Sequence, residues 1–182
     1  CIRDRYNDAG HAIHTAVLLA RPDVNVVLHS HTRAGMTVSC MQCGLLPLTQ
    51  QASEVMDNLC YHDYDIAVGA EDECERLGRD IGDKHAMIMH NHGLLTCAST
   101  VAEAFYQMYI LENACKVQVD AMASGADLHH TKESAAKMLR DYGRVKPNKP
   151  SRSSRLAWPA LLRMLDKPVS YTHLTLPTIY SV

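Results

Sequence analysis

The chain has 182 residues, of which 47% are hydrophobic and 21% charged, with a formal net charge of −2 when histidine is neutral. That balance lacks the basic excess needed to hold nucleic acid or an anionic membrane surface. No apolar run approaches the roughly 20 residues of a membrane span, so neither nucleic acid nor a membrane is expected as a partner.

The two ends of the chain are related through DNA. Cys1-Ile2-Arg3-Asp4 can be encoded by TGT ATA AGA GAC, and the reverse complement encodes Val-Ser-Tyr-Thr, the residues at Val169 to Thr172. Inverted copies of one DNA mark cloning or sequencing, so residues 1–5 and 169–182 are expected to be adapter-derived and are set aside. The remainder is long enough for one domain with a sizeable core. It is expected to form an N-terminally truncated domain over 6–143 and a basic linker with a C-terminal helix over 144–168. The cysteines Cys40, Cys43, Cys60, Cys74, Cys97 and Cys115 lack the spacing of a disulfide framework. Reduced thiols and a cytoplasmic location are expected.

In chain order, residues 11–20 read as a helix closed by Arg21-Pro22, because proline disfavours helix in the residue before it. Val24 to Leu28 is an apolar run that reads as a buried strand, and the small residues 34–41 suit a helix behind it. Gly44 to Leu48 reads as a turn, Asp65 to Val68 as a short strand, and Asp72 to Ile81 as an amphipathic helix with Cys74, Leu77 and Ile81 on one face. Ala86 to His90 is the second clear strand. Thr100-Val101-Ala102-Glu103 has the capping-box pattern and opens a helix with Phe105, Met108, Leu111, Cys115, Val119 and Met122 as its apolar stripe, stopped near Gly125. Residues 131–142 form another helix before Gly143, and Pro159 suits the first turn of a last one. Strands alternating with helices predict one α/β domain.

Histidine is concentrated at strand ends. His29-Ser30-His31 closes the first strand, and residues two apart on a strand face the same way. The second strand ends in His90-Asn91-His92-Gly93, which brings further imidazole to a turn. Three histidines with an open position are the ligand set of a catalytic divalent metal. His29 and His31 are the first two expected ligands and the His90–His92 tip supplies the third; if both His90 and His92 joined, the site would be a closed four-histidine one.

With these segments placed, the chain resembles the class II aldolase/adducin family, in its adducin-like bacterial branch. The resemblance is carried by Asn7, Ala9-Gly10, Ile13-His14, Ala20 to Asp23, His29 to Gly35, Cys43 to Pro47, Tyr61-His62-Asp63-Tyr64, Asn91 to Leu94, Glu103-Ala104-Phe105 and Trp158 to Arg163. It implies a three-layer α/β/α sandwich around a mixed β-sheet, a divalent metal on His29, His31 and His92, zinc first with manganese or iron as alternatives, and a homotetramer. It also implies a lyase acting through an enediolate on a small hydroxy- or keto-carbonyl or sugar-phosphate substrate. Aldolases of the family carry a general-base glutamate where this chain has Gly10. Asp8 and His62 are candidates to move the proton instead, and Tyr64 is a candidate proton donor. Two other readings stand beside the lyase. One is a non-catalytic adducin-like binding domain, for which the missing glutamate speaks; the other is a non-haem iron oxygenase or decarboxylase on the same fold.

Overall fold

The computed structural model describes residues 8–65, 70–144 and 151–165. The expected adapter-derived ends, and the part of the Asp65–Val68 segment beyond Asp65, lie outside the described residues. The elements run α1 (Asp8–Ala20), β1 (Val26–Ser30), α2 (Arg33–Ser39), α3 (Gln50–Val55) with a 3-10 turn at Met56–Asn58, β2 (Leu59–His62), and α4 (Ala70–Ile81). They continue with β3 (Ala86–Met89), β4 (Gly93–Ala98), α5 (Val101–Ala123), α6 (Glu133–Gly143) and α7 (Arg152–Leu165). Among the described residues no helix is long and apolar enough to cross a membrane.

The four strands form one mixed sheet in the order β1-β4-β3-β2. β1 and β4 are antiparallel, as are β4 and β3, while β3 and β2 are parallel. Helices cover both faces, which gives the expected three-layer α/β/α sandwich. Ala86, Ile88 and Leu94 face Val38, Val55, Ile110, Leu111 and Cys115 on the side of α2, α3 and α5. Met87, Met89, Leu95 and Cys97 face Ile13, Val17, Leu77 and Ile81 on the side of α1 and α4. Every residue of β3 and β4 is buried. Burying each such large side chain contributes about 1.5–3 kcal/mol, so this hairpin is the centre of the hydrophobic core.

Three expectations change. The segment after His92 is a strand, β4, rather than a connection into a helix. It is apolar on both faces and so shows no alternation. A strand not read from the sequence lies at Leu59–His62, where it pairs in parallel with β3. Finally, α7 begins at Arg152, and Pro159 sits inside it rather than in its first turn.

The early start of α7 comes from a carboxylate on α5. Thr100 Oγ1 accepts the Glu103 amide at 3.2 Å, which is half of a capping box. Instead of returning the bond, Glu103 Oε2 accepts the Ser151 amide at 2.9 Å and the Ser154 hydroxyl. Ser151 Oγ in turn accepts the Ser154 amide at 2.9 Å, so α7 is capped from its own side chain and from α5.

A buried arginine ties the far ends of α1 and α4 together. Arg21, 8% exposed, grips Asp23 with two bonds of 2.8 and 2.7 Å and donates to the carbonyls of Lys84 (2.6 Å) and Gly82 (3.2 Å). Arg21→Ala leaves these acceptors unpaired and is expected to cost about 2–3 kcal/mol, read as a drop of several degrees in a thermal melt. An unchanged melting temperature would show that the loops hold without it.

Candidate metal centre

β1 delivers the first two histidines. In its register with β4, His29 pairs with Leu95 and Ser30 with Leu94, so His29 sits at the strand end and His31 just beyond it. The third comes from the tip of the β3–β4 hairpin, residues 90–92. Asn91 takes φ +56°, a left-handed conformation that asparagine tolerates better than most residues. The His92 amide returns to the Met89 carbonyl at 3.0 Å, and the Asn91 amide reaches the Ser39 carbonyl at 3.1 Å. Gly93 then lets the two strands close. A Cβ there would lie 2.4 Å from the Ser30 carbonyl oxygen and 3.1 Å from His31 Cδ2.

The three imidazoles converge. His29 Nε2 is 2.8 Å from His31 Nε2 and 3.3 Å from His92 Nε2. One ring nitrogen from each of the three residues fits within 4.8 Å of the others. Tetrahedral zinc with Zn–N bonds near 2.0–2.1 Å holds its ligand nitrogens about 3.3 Å apart, so the set fits a divalent ion after small adjustments. Orientation agrees with this. His29 Nδ1 can only donate to the Leu94 carbonyl, at 2.9 Å, which leaves its Nε2 lone pair pointing into the cluster. Burial and the neighbouring imidazoles push His92 down to about 4, and burial lowers His29 as well. Both rings are therefore neutral near pH 7, the form that ligates. His29 and His92 are half-buried, whereas His31 is exposed, so the cluster opens to solvent on the His31 side.

The other candidates are placed differently. Tyr64 lies against the site, its ring centroid 4.0 Å from that of His92, and burial and Glu73 raise its phenol above the ordinary range. His62 is 1% exposed, with Nδ1 2.8 Å from Asp80 Oδ2 and Nε2 2.8 Å from Glu73 Oε1. Both its nitrogens are thus engaged away from the cluster. His90 turns to Asp63 and stacks on Tyr61, with centroids 5.5 Å apart, and does not join the three. Asp8 opens α1, but its side chain lies outside the described residues, and Gly10 follows in the same helix.

Two neighbours of the site went unread in the sequence. Thr32, directly after His31, donates its hydroxyl to Glu112 of α5. Glu73 is nearly buried, 5% exposed. The signal for Glu73 was the spacing of Glu73, Arg76 and Asp80, which places all three on one face of α4.

This arrangement of sheet and histidines coincides with what the chain is related to. The protein belongs to the class II aldolase and adducin N-terminal domain family, whose model matches residues 3–119. Among its relatives, a Pseudomonas aeruginosa protein whose name places it with the class 2 aldolases is 45% identical over 162 residues, covering 88% of this chain and 62% of that protein. Mouse alpha-adducin is 42% identical over 119 residues, covering 65% of this chain and 16% of its own length. The crystal structure of an aldolase II superfamily protein from Pseudomonas syringae superposes with a TM-score of 0.79 at 37% identity, covering 87% of this chain and 62% of that one. The chain thus spans about 62% of the length of these bacterial relatives.

Proposed function

We propose that this chain carries the metal site of a class II aldolase-type lyase, cleaving a carbon–carbon bond in a small hydroxy- or keto-carbonyl compound or sugar phosphate. The observation that carries this reading is the convergence of three imidazole nitrogens, from two separate strand ends, on a point open to solvent on one side. A divalent ion there, zinc first and manganese or iron as alternatives, supplies Lewis-acid polarisation of substrate oxygens.

The chain's own residues do the rest. His29, fixed by the Leu94 carbonyl, and His92, carried on the buried hairpin, form the rigid wall. His31 borders the side from which substrate enters. Tyr64 keeps its proton at neutral pH and stands at the wall of the site, placed to donate it to a leaving carbon or oxygen. A carboxylate of α1, Asp8, is the candidate proton acceptor where Gly10 offers none. A homotetramer in the cytoplasm belongs to the same reading. The adducin-like binding domain is the second reading, and Gly10 is the observation that favours it.

The test is cleavage of a panel of ketose 1-phosphates by zinc-loaded protein, with dihydroxyacetone phosphate measured through NADH consumption by a coupling dehydrogenase. Turnover that stops with a chelator and returns with zinc is the expected result. Protein that holds zinc but turns over nothing in the panel overturns the lyase reading in favour of the binding domain.

A further inference from the structure

α4 presents Glu73, Arg76 and Asp80 along one face, toward the end of β2. None of them is a ligand in the cluster of three histidines, and a nearly buried carboxylate costs stability unless it is paired. Glu73 is fully engaged. Its Oε1 takes His62 Nε2 at 2.8 Å and the Asp65 amide at 3.3 Å, and its Oε2 takes Arg76 Nη1 at 2.7 Å. Arg76 Nη2 reaches onward to the Asp63 carbonyl at 2.6 Å.

The two backbone groups held in this way are the carbonyl of Asp63 and the amide of Asp65, one on each side of Tyr64. A single ion pair therefore grips the chain immediately before and after the residue whose ring rests on His92, 4.0 Å away between centroids. The segment has a further anchor at its base. Asp80 holds the other nitrogen of His62 at 2.8 Å, and the His62 carbonyl accepts the His90 amide at 2.8 Å, tying β2 to the hairpin tip. The His92 side chain has no comparable tether among the described residues. Its Nδ1 is buried without a hydrogen-bond partner among the described residues, and the Tyr64 ring supports it from outside the cluster.

We propose that Glu73 and Arg76 are positioning residues for the metal centre: by clamping the peptides on both sides of Tyr64 they hold its ring against His92 and so fix the third ligand. This rests on His29, His31 and His92 being a metal site. It assigns the buried ion pair a role beyond joining α4 to the sheet. The contact made through Tyr64 is by its ring face, so the hydroxyl is not required for it.

The experiment is a Co(II) titration of the full chain, followed by visible absorption and by competition with a chromophoric chelator, with a thermal melt for each variant. Outer-sphere supports of this kind are worth about 10–100-fold in metal affinity. Arg76→Met and Tyr64→Ala are each expected to weaken Co(II) binding by about tenfold. The double variant should be no weaker than the weaker single, because both act through one contact. Tyr64→Phe, which keeps the ring, should bind as the parent does. If Arg76→Met does not fold, Arg76→Lys, which keeps the charge beside Glu73 but lacks the planar fork that reaches both Glu73 and the Asp63 carbonyl, serves in its place with a smaller loss in the same direction. Unchanged affinity in a folded Arg76 variant, or additive losses in the double variant, overturns the clamp and leaves the metal centre standing. A parent chain that takes up no Co(II), or takes it up equally well as His92→Ala, overturns the metal centre and the clamp with it.

Discussion

Replacing His29 and His31 together by alanine is expected to abolish metal binding while leaving the fold intact. Reconstituted protein should carry about one divalent ion per chain, and the double variant close to none by elemental analysis. Structural zinc sites gain about 10–16 kcal/mol from four ligands, or roughly 2.5–4 kcal/mol each. Losing two of three should therefore lower affinity by roughly ten-thousandfold or more. The fold should tolerate the change, because His31 is exposed and His29 gives up one hydrogen bond, to the Leu94 carbonyl. The apo melting temperature should move by only a few degrees, since that bond is worth about 1 kcal/mol. A variant that retains stoichiometric metal would place the ion elsewhere and remove the basis for the lyase reading.

Gly93→Ala should be nearly as damaging from outside the ligand set. The added methyl would stand 2.4 Å from a backbone carbonyl oxygen of β1, and neither strand can yield without parting from the other. Gly93 pairs with Met89 across the hairpin, and Leu94 next to it pairs with Ser30. Parting the strands therefore moves His92 away from His29 and stretches the bond that orients His29. Overpacking of this kind costs about 1–3 kcal/mol, and displaced ligands lose at least tenfold in affinity, about a hundredfold where two are disturbed. The measurement is a zinc competition titration beside a melt. Binding equal to the parent's would mean that the strands are not held as closely as Gly93 implies.

What could be read in advance followed local periodicity. His29 and His31 share a face because a strand repeats every two residues, and α1, α2, α4 and α5 announced themselves by apolar spacing, by Pro22 and by Thr100. β4 was hidden because Gly93 to Ala98 is buried on both faces, and a run without alternation carries no period to read. The fate of His62 was hidden for a different reason. Its partners Glu73 and Asp80 lie 11 and 18 residues away on a helix whose polar face reads like any solvated one. Glu103 shows the limit of a local motif. Its spacing promised a bond back to Thr100, yet the carboxylate turned to a helix about 50 residues on, because the buried end of α7 had amides and a hydroxyl to satisfy.

The unequal burial of the three histidines has a kinetic consequence. Amides of β3 and β4, enclosed by core on both faces, should exchange with solvent deuterium only when the whole domain opens, so His92 is carried on the slowest clock in the molecule. His31 sits outside that unit, exposed at the end of a strand. An ion held among the three would then come and go through rotation of one surface imidazole, without any opening of the hairpin that supplies its opposite ligand.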